Sequence, residues 1–272
     1  MLGFGLNQVT IPNAPFDAFV ETAAGLGCVG VELRNDLGRP FFDGMKPVRA
    51  GERVRDGGLR LLGLSQVYPF NRWSTEIADE VAALIDTGVE AGAETISLIP
   101  CNDGSGTDAA TRADDLTRAM EGCLPLLDAA DMVALIEPLG FGRSSLRLKS
   151  EVVEAINALG AAGRFRLVHD TFHHTLAGGG PLFAAETGIV HISGVTHADV
   201  SVDKMEDEHR VLVDESDRLG NVAQITALVK AGYTGAFSFE CFAPEVQSLA
   251  RPEDAIRRSM SFISSQAHKE AA

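Results

Sequence analysis

The chain is poor in aromatic residues, at 6% of 272 positions with one tryptophan and two tyrosines, and poor in positive charge, with 23 Lys and Arg against 38 Asp and Glu. A formal charge of −15 repels polyanions, so nucleic acid is not expected as a partner and a neutral substrate is favoured over a phosphorylated one. Cysteine is scarce too: Cys28, Cys101, Cys123 and Cys241 are scattered, with no CxxC pair, so disulfides are not expected and the cytoplasm is. No apolar run approaches the ~20 residues that span a bilayer, and MLGFGLNQVT carries no basic stretch ahead of an apolar one, so neither a membrane segment nor a secretory signal is expected. Phosphate-binding glycine patterns are also missing, since AGGGP at 177–181 and NDGSG at 102–106 match neither known spacing and read as flexible loops.

What is present is a 45% hydrophobic, 22% charged composition, which is that of a soluble globular chain. Short apolar runs rich in small and β-branched residues alternate with longer stretches of helical periodicity. Strands are expected at 3–7, 29–33, 60–66, 94–99, 132–137, 165–170, 189–193 and 235–240. Helices are expected at 15–25, 46–57, 75–91, 109–130, 150–159, 182–187, 221–231 and 251–265. Eight strand–helix units in ~250 residues predict an α/β (β/α)8 TIM barrel, since an open doubly wound sheet needs fewer strands. No linker or composition shift divides it, so one domain is expected over 1–265, with 266–272 as a frayed tail.

Barrel active sites form where strands end, and the exits of the last four strands are loaded. Strand five ends in Glu137, strand six in Asp170, strand seven carries His191 and strand eight ends in Glu240. Strand alternation turns Ser238 and Ala236 inward with Glu240, Val133 and Leu135 inward below Glu137, and Ile189 inward below His191. One such acidic residue is most often a helix cap. Three converging carboxylates, however, would repel one another unless a cation lay between them. Oxygen donors with one imidazole suit one divalent ion, Mn2+ or Mg2+ first, then Zn2+, Co2+ or Fe2+.

The stretches IEPLGFGRS, VHDTFHH, VHISGVTH and FSFECF resemble the xylose-isomerase-like barrel family of sugar isomerases and epimerases, over the whole chain. The resemblance implies that Glu137, Asp170, His191 and Glu240 hold one divalent ion and that both glutamates also transfer protons. It assigns His173, in the D-T-F-H motif, to substrate. The segment at 207–225 and GYTGAFSFECFAPEV look most like the 2-keto-myo-inositol (inosose) isomerases. The implied activity is isomerisation of a keto-inositol through an enediolate. The alternatives are a keto-sugar 3-epimerase, hydroxypyruvate isomerase, inosose dehydratase or a non-catalytic carbohydrate-binding barrel. The partner would be a small neutral polyol or keto-sugar, and homo-oligomers are compatible with such barrels. Epimerases of this family carry an arginine six residues after the strand-seven histidine; here that position is His197, and Arg210 is the substitute for binding distal hydroxyls.

Asn7, Glu32 and Gln66 close strands one to three and are candidate pocket residues. Trp73 would either wall the pocket against a sugar ring or anchor the next helix. His169 should face the helices with a hydrogen-bond partner, and His174 should lie on loop surface. The loop at 195–220 is long enough to be a lid, although its charge run DKMEDEHR also reads as a solvated face.

Overall fold

The computed structural model describes residues 2–271. Its strands are β1 (Phe4–Asn7), β2 (Gly30–Arg34), β3 (Arg60–Val67), β4 (Thr95–Leu98), β5 (Val133–Ile136), β6 (Phe165–Asp170), β7 (Thr187–Ile192) and β8 (Phe237–Phe239). They form a closed barrel in chain order, with β8 pairing in parallel with β1. The helices are α1 (Phe16–Leu26), α2 (Pro47–Asp56), α3 (Thr75–Ala91), α4 (Ala109–Ala130), α5 (Lys149–Leu159), α6 (Thr171–Leu176), α7 (Asn221–Lys230), α8 (Pro244–Gln247) and α9 (Pro252–Ala271). None is long and apolar enough to cross a membrane.

Local chemistry explains where helices begin and end. Ser74 accepts a hydrogen bond from the N–H of Ile77 at 3.3 Å to start α3, and Gly92 ends it in the left-handed region at φ 72°. The helix expected at 182–187 is not there. It forms instead at 171–176, because the Asp170 carboxylate accepts from the N–H of His173 at 2.8 Å and turns the chain helical directly at the strand exit. Helix α9 continues to Ala271, so the tail expected to fray from 266 is helical as far as the described residues reach.

The core has two main layers. Leu62, Leu135, Val168, Ile189 and Ala236 fill the lower barrel interior, as the alternation of strand residues requires. Phe237, Phe239, Leu64 and Ile96 face outward and pack beneath the helices. Each of these side chains gains roughly 1.5–3 kcal/mol from burial. Over the C-terminal end, Phe141, Phe172, Val195 and Met205 form a smaller apolar cluster among the loops. Apolar packing below and around the strands leaves the top of the barrel as the place where polar side chains gather.

Candidate active site

One ligand atom from each of Glu137, Asp170, His191 and Glu240 lies within 4.8 Å of the others, and all four residues are buried. His191 Nδ1 faces the carboxylates, 3.2 Å from Glu240 Oε2 and 3.6 Å from Glu137 Oε1, and makes no hydrogen bond. Its other nitrogen, Nε2, donates to Glu32 Oε2 at 2.9 Å across the barrel interior. Histidine ligands characteristically donate their second N–H to a carboxylate, which fixes the tautomer and leaves the first nitrogen free for the ion.

Charge follows the same layout. Burial raises the Glu137 carboxyl, and neighbouring Glu240 raises it further, to about 7. Burial would also raise Glu240, but His191, Arg210 and Arg34 hold it well below the usual carboxylate range. Asp170 is raised by burial despite the Arg210 guanidinium beside it. Burial alone would lower His191, yet Glu240 and Glu32 raise it well above the ordinary histidine value. The carboxylates thus draw a proton onto the imidazole, and a divalent cation would satisfy the same charge while displacing that proton. Three carboxylates and one imidazole are a suitable donor set for such an ion.

A cavity of about 380 Å3 opens beside this cluster, with Arg34, Gln66, Glu137, His173, Arg210 and Glu240 in its wall. The imidazole of His173 packs edge-on against Phe141 and Phe172, at 5.1 and 5.2 Å between centroids, and its Nδ1 is buried without a partner. Burial, with Arg210 nearby, lowers its pKa to about 3, so the ring is neutral. Gly140 lets the β5 exit lie directly on this turn, since a Cβ there would come 2.2 Å from the His173 carbonyl.

Arg210 belongs to the loop expected as a lid, but it is 1% exposed and faces inward. It donates to Asp170 Oδ2 at 2.5 Å and to Glu240 Oε2 at 2.9 Å. An antiparallel bridge between Gly194 and Val211 ties this part of the loop to the end of β7. The Arg143–Glu206 pair then joins it to the β5 loop.

Other candidates are placed differently from expectation. Asn7 and Glu32 do not line the cavity; Asn7 donates to Glu240 Oε1 at 3.2 Å and Glu32 supports His191, so both act on candidate ligands from the interior. His197 is exposed and packs against His209 at 5.4 Å, outside the cavity, because the loop folds on itself there, with the His197 carbonyl accepting from Arg218. Trp73 anchors a helix. It packs on the outer layer against α4 at Gly122, where a Cβ would come 2.1 Å from the indole.

Arg34 was not read as a site residue. It donates to Glu240 Oε1 at 2.9 Å and, through Nε and Nη2, to Asp36 at 2.8 and 2.6 Å. The signal was its position two residues after Glu32, on the same strand face, which a strand ending at 33 conceals.

Fold and site together define a TIM barrel with a four-residue candidate metal-binding cluster at the C-terminal mouth. The chain belongs to the xylose isomerase-like TIM barrel family, whose model matches residues 20–266. A xylose isomerase domain-containing protein from Salmonella typhimurium LT2 is 29% identical, with a TM-score of 0.87 over 96% of this chain and 97% of that one. The IolI protein, solved with a bound zinc atom, is 18% identical, with a TM-score of 0.87 over 98% of this chain and 99% of that one. D-psicose 3-epimerase from Clostridium cellulolyticum H10, solved with D-tagatose, is 13% identical, with a TM-score of 0.73 over 98% and 99% of the two chains. No curated protein matches the sequence.

Proposed function

We propose that this protein is a metal-dependent isomerase of a keto-inositol, working by proton transfer next to the substrate carbonyl. The carrying observation is the convergence of Glu137, Asp170, His191 and Glu240 on one buried point beside a polar cavity. The family and the fold shared with IolI and a sugar epimerase support a sugar-like substrate of this kind.

In this reading the four residues hold one divalent ion, which when bound polarises the substrate's carbonyl oxygen and neighbouring hydroxyl. Glu240 and Glu137, both in the cavity wall, flank the substrate carbon chain. One removes the proton beside the carbonyl and the other returns a proton to the adjacent carbon through an enediolate. Asp170 and His191 hold the ion, with Glu32 orienting the imidazole. Neutral His173 supplies its unpartnered nitrogen to a substrate hydroxyl, and Arg210 and Gln66 bind more distant oxygens. Asp207 remains paired with Arg210 at 3.2 Å, which keeps that guanidinium fixed over the site.

Incubation with 2-keto-myo-inositol and Mn2+, Mg2+ or Zn2+ in deuterated water tests this. The expected product has unchanged composition apart from deuterium at the carbon beside the carbonyl. A product lighter by one water would identify a dehydratase, and inversion at the same carbon an epimerase. Binding without product or exchange would mean a carbohydrate-binding barrel without turnover.

A further inference from the structure

A second polar cluster lies on the outer side of β6. A cavity of about 240 Å3 beside it, bordered also by His173 of the candidate active site, has Lys149, at the start of α5, in its wall together with Arg147, His174, Gly179 and Phe183. His174 is half-buried in α6 rather than on loop surface, and its ring lies 4.8 Å from that of His169. Asp170 also borders this space, but its carboxylate is committed to Arg210 and to the N–H of His173.

The hydrogen bonds suit a neutral lysine. The two N–H groups of Gln224 Nε2 face three acceptors, Thr171 O, Thr175 Oγ1 and Leu219 O, which orients its Oε1 toward His169 Nε2 at 3.0 Å as an acceptor. His169 therefore carries its proton on Nε2, and Nδ1 is an acceptor. Lys149 Nζ donates to that Nδ1 at 2.7 Å and to the Leu182 carbonyl at 3.3 Å. Two acceptors match the two N–H groups of a neutral amine, whereas an ammonium would bring a third. No carboxylate pairs with Lys149 among the described residues. Arg147, held by the carbonyls of Gly140 and Leu176, adds positive charge to the same wall. Burial acts in the same direction and lowers the lysine to about 7.

We propose that Lys149 is a reactive amine that captures small aldehydes in this cavity as an imine. With both N–H groups bonded, the Nζ lone pair is the uncommitted part of the side chain. It adds to the carbonyl carbon while one N–H proton passes to the carbonyl oxygen, giving a carbinolamine. Loss of that oxygen as water, with the second N–H proton, forms the C=N bond, so no oxidant or reductant is needed. Capture is reversible, because the imine gives up both donated hydrogen bonds. The cavity is smaller than the ~300–1,000 Å3 of sites for drug-sized ligands, which restricts it to aldehydes of a few carbons.

The test treats the full-length, metal-loaded protein with glycolaldehyde and cyanoborohydride at pH 7 and maps the reduced adducts by peptide mass spectrometry. An ordinary lysine, with a pKa near ~10.4, is neutral to less than about one part in 10³ at that pH. Lys149 is therefore expected to react at least ~10-fold faster than Lys46, Lys204, Lys230 or Lys269. Reaction at Lys149 no faster than at those four would overturn the proposal. An aldehyde carried on a dextran chain is too large to enter, and its selectivity for Lys149 should vanish. Persistent selectivity would show a surface amine and refute capture within the cavity.

Discussion

The two halves of the barrel mouth are built for different tasks. Strands β5 to β8 each deliver one metal-ligand type, Glu137, Asp170, His191 and Glu240, to one point. Strands β1 and β2 deliver Asn7, Glu32 and Arg34, whose side chains hold two of those residues: Asn7, on the strand next to β8, and Arg34 bond Glu240, and Glu32 meets His191 across the interior. Both halves are polar and buried, yet only the first presents a converging donor set. The contrast shows how part of a buried carboxylate cluster is kept in place: Asn7 and Arg34 fix Glu240, and Glu32 fixes His191, while Arg210 holds Asp170.

The comparison is broken most forcefully on the ligand side. Glu240→Gln keeps the shape of the side chain but cannot accept a proton, so kcat should fall by ~10²–10⁴-fold with substrate binding less affected. Metal content measured beside the rate separates lost chemistry from lost ion. A metal-loaded variant with near-normal kcat would remove Glu240 from proton transfer.

On the supporting side the effect should be smaller and of a different kind. Glu32→Gln is expected to weaken metal affinity by ~10–100-fold, because the charge that orients the His191 N–H is lost while no ligand is removed. Titration of the apo-protein with Co2+, read by its visible spectrum, checks this. An unchanged affinity and spectrum would place Glu32 outside the metal centre's support.

Trp73→Ala, on the outer layer, should cost about 2 kcal/mol of stability, less than the ~3–5 kcal/mol of a fully buried aromatic because the indole is half-buried. Its kcat should stay within ~2-fold, as no catalytic group is touched. Urea unfolding and steady-state kinetics measure the two quantities. A large loss in kcat at unchanged stability would restore the indole to the substrate cavity.

Much of this division was legible in the chain. The eight strands fall close to their expected positions because closure buries both faces of each, leaving apolar runs bounded by caps such as Ser74 and Gly92. The convergence of Glu137, Asp170, His191 and Glu240 was legible because each lies at or beside a strand end, and strand alternation turns it inward. The supporting half was only partly so. Asn7 and Glu32 were found as polar strand ends, but whether they face substrate or another side chain depends on distances across the barrel. Arg34 escaped notice for a one-residue error in the end of β2.

The sequence by itself determined the barrel, the four converging polar residues and their inward phase, because helix and strand periodicity are local properties of the chain. Tertiary structure decided which polar groups meet. It joined Glu32 to His191, turned Arg210 inward onto Asp170 and Glu240, and set Lys149 against His169. It also placed His197 and Trp73 outside the cavity. These outcomes depend on barrel closure and loop packing, which bring together side chains far apart in the chain and so leave no periodic trace in it.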